Sequence, residues 1–530
     1  MCCHWVVVSS KVAITTLIDR QNVKAVNTGA KAKGALYAAR QKIFPKRAEG
    51  AFRRLKWIIM AITLEIYYVT PWLRWDRGPY APDQAVLLDM AHRRFYFFFI
   101  EIWPQEFYFV AGLLVMAGVG LFLVTSVVGR AWCGYTCPQT VWTDLFLFVE
   151  GFIEGDRNAR IKLDLGPWTL RKVGLRLTKH TIWILIAIAT GGAWIFYFAD
   201  APTLLKSLFT LQAPMIAYGT VAVLTATTYV FGGIMREQVC IYMCPWPRIQ
   251  AAMLDEDSLV VTYNDWRGEP RSHGSKKAAA AGLSVGDCVD CNACVAVCPT
   301  GIDIRDGQQM ECITCALCID ACDSVMDKIG KPTGLISYST LRDYNHNLAV
   351  ASATPGAIDP NRVRNAGGAF VAGIRHFDWH IFLRPRTLIY IGLWSLIGIA
   401  LLYLLLIRDR LEVNVQHDRN PVAIKLSDGS VRNGYTIKLL NMVPEPRTIS
   451  LRIEGLPGSE ITIAGIEDAK GQSAEIPVEP DKLRALHVFV TVPPQFLTIG
   501  NTPFRIIAKD QQSFETDTYK AIFEVPENMK

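Results

Sequence analysis

Residues 288–322 open with Cys288-Val-Asp-Cys291-Asn-Ala-Cys294-Val-Ala-Val-Cys298-Pro299 and close with Cys312-Ile-Thr-Cys315-Ala-Leu-Cys318-Ile-Asp-Ala-Cys322. The same three-plus-one cysteine spacing occurs twice. A 4Fe–4S cube needs four thiolates converging on its corners: three on a tight loop and a distant fourth that closes the cage. In two-cluster ferredoxins the fourth cysteine of each run ligates the other cluster. On that rule Cys288, Cys291, Cys294 and Cys322 hold one cube, and Cys312, Cys315, Cys318 and Cys298 hold the second. Small or flexible neighbours (Asn292, Ala293, Ala316, Gly301) suit a loop wrapped around inorganic sulfide. Zinc sites also use CxxC pairs, but two copies of this spacing fit cubanes better. The second run ends Cys322-Asp323 without a proline, which changes a turn and not the ligand count. The chemistry indicated is one-electron transfer.

Around this insert lie apolar stretches long enough to cross a bilayer, which takes about 20 residues as helix. Five are read: Trp57–Trp72, Phe107–Val128, Thr181–Ala199, Leu211–Met235 and Leu388–Ile407. The chain has 530 residues, 51% hydrophobic and only 19% charged. That balance excludes a disordered chain and disfavours a purely soluble enzyme. Lys plus Arg number 55 against 48 Asp plus Glu, a net +7 too mild and too local for nucleic acid. Basic residues cluster before the first span (Lys42, Lys46, Arg47, Arg53, Arg54, Lys56) and between the second and third (Arg130, Arg157, Arg160, Lys162, Arg171, Lys172, Arg176, Lys179). Positive charge stays inside, so the N-terminus is expected in the cytoplasm and the C-terminus outside. Arg74, Arg77, Arg93 and Arg94, after the first span, run against the pattern. All 14 cysteines precede residue 323 and fall on the inside in this topology, as reduced thiols require. No secretory signal is read in residues 1–50, so the first span is expected to remain as an anchor.

From Leu411 the pattern turns to alternation at period two, as in Tyr435–Leu439, Ile449–Ile453 and Leu486–Val492, with further strands at Phe504–Ala508 and Tyr519–Val525. About seven such runs predict an antiparallel β-sandwich of immunoglobulin type without its disulfide, serving as a docking or spacer module. The expected fold is thus a polytopic α-helical membrane protein of about five spans, with a cytoplasmic two-cluster ferredoxin-like insert and a C-terminal immunoglobulin-like sandwich. Its expected divisions are a basic segment (1–56), a four-span domain (57–250), the ferredoxin-type domain (251–385), a fifth helix (386–408) and the exported domain (409–530).

A second cysteine pattern ends spans two and four: Arg130-Ala-Trp-Cys133-Gly-Tyr-Thr-Cys137-Pro138 and Arg236-Glu-Gln-Val-Cys240-Ile-Tyr-Met-Cys244-Pro245. Cysteines at i and i+4 share one face of a helix, and a proline favours a break nearby. Two copies suggest an internal repeat that brings four thiols together at the membrane boundary. Soft thiolates select Cu(I), zinc or iron–sulfur clusters; the plain alternative is four small hydrophobes. Weaker signals are Glu65 within a span, His180 at a span start, Met243 as a soft ligand, Cys2-Cys3-His4 as a metal trio, and Phe95–Phe99 as an interfacial anchor. No dinucleotide fingerprint or P-loop is read, so the electron donor is expected to be a protein, a quinol or a diffusible reductant.

Trp132-Cys133-Gly-Tyr-Thr-Cys137-Pro-Gln-Thr and Glu237-Gln-Val-Cys240-Ile-Tyr-Met-Cys244-Pro-Trp-Pro-Arg248 strongly resemble the CcoG family, also called FixG or RdxA. So do Glu154-Gly-Asp-Arg157-Asn-Ala-Arg160, Asp200-Ala-Pro-Thr203 and Arg267-Gly-Glu-Pro-Arg271. The resemblance runs from about Leu36 to the C-terminus. It implies a polyferredoxin-type protein of the bacterial inner (plasma) membrane that supports assembly of cbb3-type cytochrome c oxidase. The activity implied is cupric reductase, Cu(II) to Cu(I), with two 4Fe–4S clusters as cofactors and copper at Cys133, Cys137, Cys240 and Cys244. Ferredoxin-type clusters lie hundreds of millivolts below a cupric couple, which makes the transfer downhill. Implied partners are copper chaperones and oxidase assembly factors, with an unspecified electron donor, a homodimer as one assembly state, and no nucleic acid. The rival readings are a quinol-dehydrogenase subunit similar to NapH and a non-catalytic copper scaffold.

Overall fold

The computed structural model describes residues 42–273, 285–353, 374–375 and 378–527. Cys2, Cys3 and His4 lie outside them. The chain divides into two compact units, one drawn from Met1–Pro71 and Phe109–Gly398, the other from Trp72–Tyr108 and Ile399–Lys530.

In the first unit the helices that matter for the site are α1 (Ala51–Val69), α2 (Tyr108–Val128), α3 (Ala131–Tyr135), α4 (Pro138–Glu154), α5 (Leu170–Ile195) and α6 (Met215–Thr228). They are followed by α7 (Ala293–Val297), α8 (Leu317–Lys328) and α9 (Pro385–Leu406). Among the described residues four helices are long and apolar enough to cross a membrane: Pro104–Val128, Leu170–Ile195, Met215–Met235 and Pro385–Leu406. The stretch expected as the first span forms α1 and a 3₁₀ turn at Thr70–Trp72, and α1 is not among the four. Arg53, Arg54, Lys56 and Glu65 dilute its apolarity. The third expected span starts too late, because helix begins at Leu170, where Thr169 caps it by accepting from Lys172 N. Its basic first turns belong to the helix although they do not belong to its apolar length.

Buried ion clusters join these helices. Glu150 of α4 pairs with Arg160 (3.2 Å), Lys179 of α5 (3.3 Å) and Arg236 after α6 (2.9 Å). Burial opposes its ionisation, but Arg236, Lys179 and Arg160 outweigh that and hold its carboxyl down to about 2. Arg53 and Lys56 of α1 both pair with Asp144 of α4, at 2.9 and 3.4 Å. A buried charge left without its partners is costly, so Glu150→Gln is expected to destabilise the first unit by about 3–5 kcal/mol. Thermal unfolding of the detergent-solubilised protein checks this; a melting point unmoved by the substitution contradicts it.

The insert is framed by a two-stranded sheet, β4 (Val260–Tyr263) with β5 (Ile336–Ser339), which packs on α7 and α8 through Val261, Val295, Ile319 and Ile336. In the second unit, β1 (Val86–Asp89), β2 (Arg94–Phe97) and β3 (Ile100–Ile102) form a small antiparallel sheet. The aromatic run expected as a membrane anchor therefore supplies β2, with Tyr96 buried. The arginines that broke the charge pattern are structurally engaged. Arg77 donates to the carbonyls of Pro82, Gln84, Ala85 and Phe98, and Arg94 pairs with Glu101 and Asp481, both at 3.4 Å.

The same unit holds β6 (Leu411–His417), β7 (Ile424–Lys425), β8 (Val431–Asn441), β9 (Arg447–Glu454), β10 (Glu460–Ile463), β11 (Ile466–Gly471), β12 (Ser473–Val478), β13 (Leu483–Val492), β14 (Gly500–Asp510) and β15 (Thr516–Val525). One sheet runs β11-β10-β13-β8-β6 with β7 beside β8, the other β12-β9-β14-β15, and the pairings are antiparallel. Alternate residues fill the core: Tyr435, Ile437 and Leu439 on β8, Val488, Val490 and Val492 on β13, Phe504, Ile506 and Ala508 on β14. This is an immunoglobulin-like sandwich with more strands than expected, because short runs such as Ile424–Lys425 carry too little alternation to be read.

Glu101 is pushed up to about 7, first by burial and then by the charge of Asp481, with Arg94 opposing. A carboxyl raised above its ordinary value of 4.5 binds protons more tightly when folded. Its stabilising effect is full below that value and is lost as pH rises through 7. Proteolytic cleavage within residues 72–108 should therefore accelerate from pH 5 to pH 8, and Glu101→Gln should flatten the dependence. A slope unchanged in Glu101→Gln assigns the effect elsewhere.

Candidate iron–sulfur and thiol centres

The two ferredoxin runs adopt the same local backbone. Asp290 and Asn292 flank Cys291 with φ of 50° and 56°, and Thr314 and Ala316 flank Cys315 with φ of 56° and 60°. Left-handed residues on both sides of a cysteine turn neighbouring backbone N–H groups toward it, as in the nests that favour anions. Backbone N–H groups accordingly point at the cysteines, from Ala293 to Cys291, from Thr314 to Cys312 and from Leu317 to Cys315. Asn292 and Ala316 are also the positions from which α7 and α8 start. The loop and the helix that carries the third cysteine are therefore one construction.

Cys322 faces Cys294, Cys291 and Cys288, while Cys318 faces Cys315, Cys312 and Cys298, with Cys294 beyond them. Burial first, and these neighbouring sulfurs second, push both thiols well up from their ordinary value. So dense a set of buried sulfurs, in two groups of four, is unfavourable unless something cationic neutralises it. A cube of iron does so, and the inward N–H groups suit its sulfides. Cations also attend each group. Arg305, itself tied to Asp290 (2.9 Å) and Asp303 (2.6 Å), acts on Cys291 and Cys294. Arg130 acts on Cys312, and Lys56 on Cys315. Among the described residues no three His, Cys, Asp or Glu side chains close on a single-ion position; the sulfurs of the second group instead ring a cavity between the runs.

The CxxxCP motifs depart from the helical reading. Cys133 lies in α3, but Cys137 stands between α3 and α4 with φ −58° and ψ 128°. Cys240 lies in a π-helical turn, Val239–Met243, and Cys244 follows it at φ −78° and ψ 123°. Cys298, between α7 and Pro299, has φ −67° and ψ 121°. The cause is shared: a residue before proline is driven from the helical to the extended region. The second cysteine of each pair therefore sits in the break itself, and the two sulfurs do not share one helix face.

The two pairs nevertheless lie within electrostatic reach of one another, although among the described residues no three of these side chains close on a single-ion position. Cys133 is influenced by Cys137 and Cys244, and Cys240 by Cys137, Cys133 and Cys244. Gln139 helps to join the copies, donating to the carbonyls of Phe231 (2.8 Å) and Arg236 (3.2 Å). Cys133 is buried and donates to Gln250 Oε1 at 3.0 Å, and Gln250 donates in turn to Thr125 Oγ1 at 3.2 Å. Gln250 and Gln139 escaped the sequence reading; their one signal is their place within a few residues of a Cys-Pro pair. Of the weaker candidates, Met243 and Glu65 are exposed, and His180 is engaged with the Tyr229 hydroxyl at 2.9 Å.

Burial raises Cys133 to about 11 and Cys240 to about 12, with neighbouring thiols adding to it and Arg130 opposing. Before a metal is supplied, these thiols should be alkylated at pH 7 at least tenfold more slowly than free cysteine, and faster as pH rises toward 10. Mass spectrometry of iodoacetamide-treated protein reads this. Rapid labelling at pH 7 would show thiolates already present.

Residues 235–341 match the 4Fe-4S dicluster domain family, residues 109–153 a 4Fe-4S binding domain, and residues 401–526 the IG-like fold at the C-terminal of FixG. The chain is 67% identical over 510 residues to the nitrogen fixation protein FixG of Rhizobium meliloti, covering 96% of this chain and 97% of that protein. It is 53% identical to protein RdxA of Cereibacter sphaeroides, covering 86% of this chain and 91% of RdxA. To RdxB of the same organism it is 56% identical, covering 82% and 88%.

Proposed function

The chain belongs to the FixG/CcoG/RdxA family of membrane iron–sulfur electron-transfer proteins, and from that premise we propose that it is a cupric reductase. In this reading it reduces Cu(II) to Cu(I) at Cys133, Cys137, Cys240 and Cys244 and so supports copper delivery to cbb3-type cytochrome c oxidase. What supports the reading is the placement of Cys133 with Cys315 of the second ferredoxin run in one buried cluster, with the other three thiols in electrostatic reach.

Cys288, Cys291, Cys294 and Cys322 would hold one 4Fe–4S cluster, and Cys298, Cys312, Cys315 and Cys318 the other. Such clusters, when bound, supply one-electron transfer at low potential. The chain's own residues do the rest. The left-handed pairs around Cys291 and Cys315 present N–H groups to sulfur, and Arg305, Arg130 and Lys56 favour the thiolate form. The four membrane thiols offer soft ligands that prefer Cu(I) to Cu(II). Because burial favours the protonated form of Cys133, Cys137 and Cys240, binding of Cu(I) releases protons.

The topology proposed with this function has five crossings, α1 being the first. The N-terminus and both clusters are cytoplasmic, and the second unit is periplasmic in the inner membrane. Membership of residues 72–108 in the same compact unit as the C-terminal sandwich supports it, since both segments must then lie on one side.

Anaerobically reduced, detergent-solubilised protein is expected to reoxidise on addition of Cu(II) and to yield one Cu(I) per electron, trapped by a Cu(I)-specific chelator. Cys133→Ala/Cys240→Ala should slow this at least tenfold while iron and sulfide contents stay unchanged. Clusters that remain reduced with Cu(II) present would overturn the proposal, and rapid reoxidation by a quinone analogue instead would favour the quinol-dehydrogenase alternative.

A further inference from the structure

The second ferredoxin run is clamped to the membrane helices at several points, and at one of them a glycine lies directly against its backbone. A Cβ placed on Gly134 of α3 would stand 2.7 Å from Ile313 O, 3.0 Å from Cys315 Cα and 3.1 Å from Cys315 N. Side-chain atoms essentially never approach a backbone so closely, so only glycine lets α3 lie against the Ile313–Cys315 loop at this distance. The next residue completes the joint: the Tyr135 hydroxyl donates to Cys315 O at 3.1 Å. Arg130 donates to Met310 O, and the N–H groups of Phe52 and Arg53, in the first turn of α1, donate to Asp320 at 3.2 and 2.7 Å.

The first run has one such tie outside the insert, from Lys46 N to Ala296 O at 2.7 Å, and its cysteine loop is held from within the insert. Cys288 accepts from Ser272 N and donates to Gly268 O, and Asp290 and Asn292 are held by Arg305. The two runs are thus unequal in placement. Of the first run only Val297 joins the buried cluster that holds Cys133, Ile313, Cys315 and Leu317, whereas its cysteines Cys288 and Cys294 pack against Val261, Tyr263 and Ile304 of the insert, together with Ala316 and Cys322 of the second run.

We infer that Gly134 and Tyr135 are positioning residues that dock the second centre, held by Cys298, Cys312, Cys315 and Cys318, onto the membrane thiols and make it the exit for electrons. This rests on the cupric-reductase reading for its acceptor. Each Cu(II) bound at the membrane thiols gains one electron to become Cu(I), and the docked centre is oxidised by one. The first centre would serve as the entry and replace that electron, since Cys294, one of its ligands, lines the same cavity as Cys298, Cys312, Cys315 and Cys318.

The test uses full-length protein in detergent carrying Gly134→Val, Tyr135→Phe or, as a control, Gly151→Ala, whose new Cβ meets nothing within 4 Å. Two readouts are taken besides iron and sulfide content: alkylation of Cys133 before copper is added, and the single-turnover rate of Cu(I) formation by pre-reduced protein. Gly134→Val is expected to keep both clusters, expose Cys133 to labelling several-fold faster, and slow Cu(I) formation at least tenfold. Tyr135→Phe should move both readouts in the same direction by less, and Gly151→Ala neither. Wild-type labelling and rate in Gly134→Val would overturn the inference. So would loss of iron in both the Gly134 and Tyr135 variants, since these residues would then build the centre and not position it. If wild type itself fails to reduce Cu(II), the cupric reading falls, while the labelling of Cys133 still decides whether Gly134 docks the second run.

Discussion

A cysteine followed by proline cannot remain in a helix without a clash, and the described chain meets that constraint at Cys137, Cys244 and Cys298. Each time a short helical segment stops at the cysteine, the backbone becomes extended, and the sulfur is thrown to the side of the helix axis. One of these junctions belongs to the ferredoxin insert and two to the ends of apolar helices. The first of them follows closely on Cys133, Gly134 and Tyr135, through which the insert and the membrane helices approach one another.

That approach survives only because the helices around it are held in register. Glu150 joins α4 to α5 and to the chain after α6, and Asp144 joins α4 to α1. Both are carboxylates surrounded by more than one cation. Ion pairs of this kind contribute little net stability compared with apolar packing, yet removing one partner is costly, so they act against alternative arrangements. Asp320 adds a third link, standing at the N-terminus of α1, where the helix dipole and free N–H groups welcome an anion. Gly50 makes room for it, since a Cβ there would collide with the Asp320 carboxyl. The second ferredoxin run is thus gripped by α1 on one side and α3 on the other.

Much of the architecture can be read without coordinates. The eight ferredoxin cysteines, the long apolar helices α2, α5, α6 and α9, and the alternating strands β8, β9, β13, β14 and β15 are all periodic or spacing signals, carried by neighbours in sequence. Failures fall where tertiary partners override a local pattern. Phe95–Phe99 reads as an aromatic anchor, and only the pairing of β2 with β1 and β3 shows that Tyr96 turns inward while Phe99 stays exposed. Arg77 and Arg94 look like charges on the wrong side until carbonyls and carboxylates are found around them. The CxxxC spacing suggests one helix face, whereas the proline after it removes the helix.

The sequence alone determined which thiols exist, how they are grouped, and that the chain carries bilayer-length apolar segments, because ligand spacing and hydrophobic run length are properties of consecutive residues. Only the tertiary structure decided that the two CxxxCP pairs come within reach of one another, that the Ile313–Cys315 loop lies against the first of them, and that Gly134 leaves the room for it. Those facts depend on contacts between segments up to about two hundred residues apart in the chain, as with Tyr135 and Cys315. No local periodicity encodes such contacts; they follow from which surfaces pack once buried charges and close backbone approaches are satisfied together.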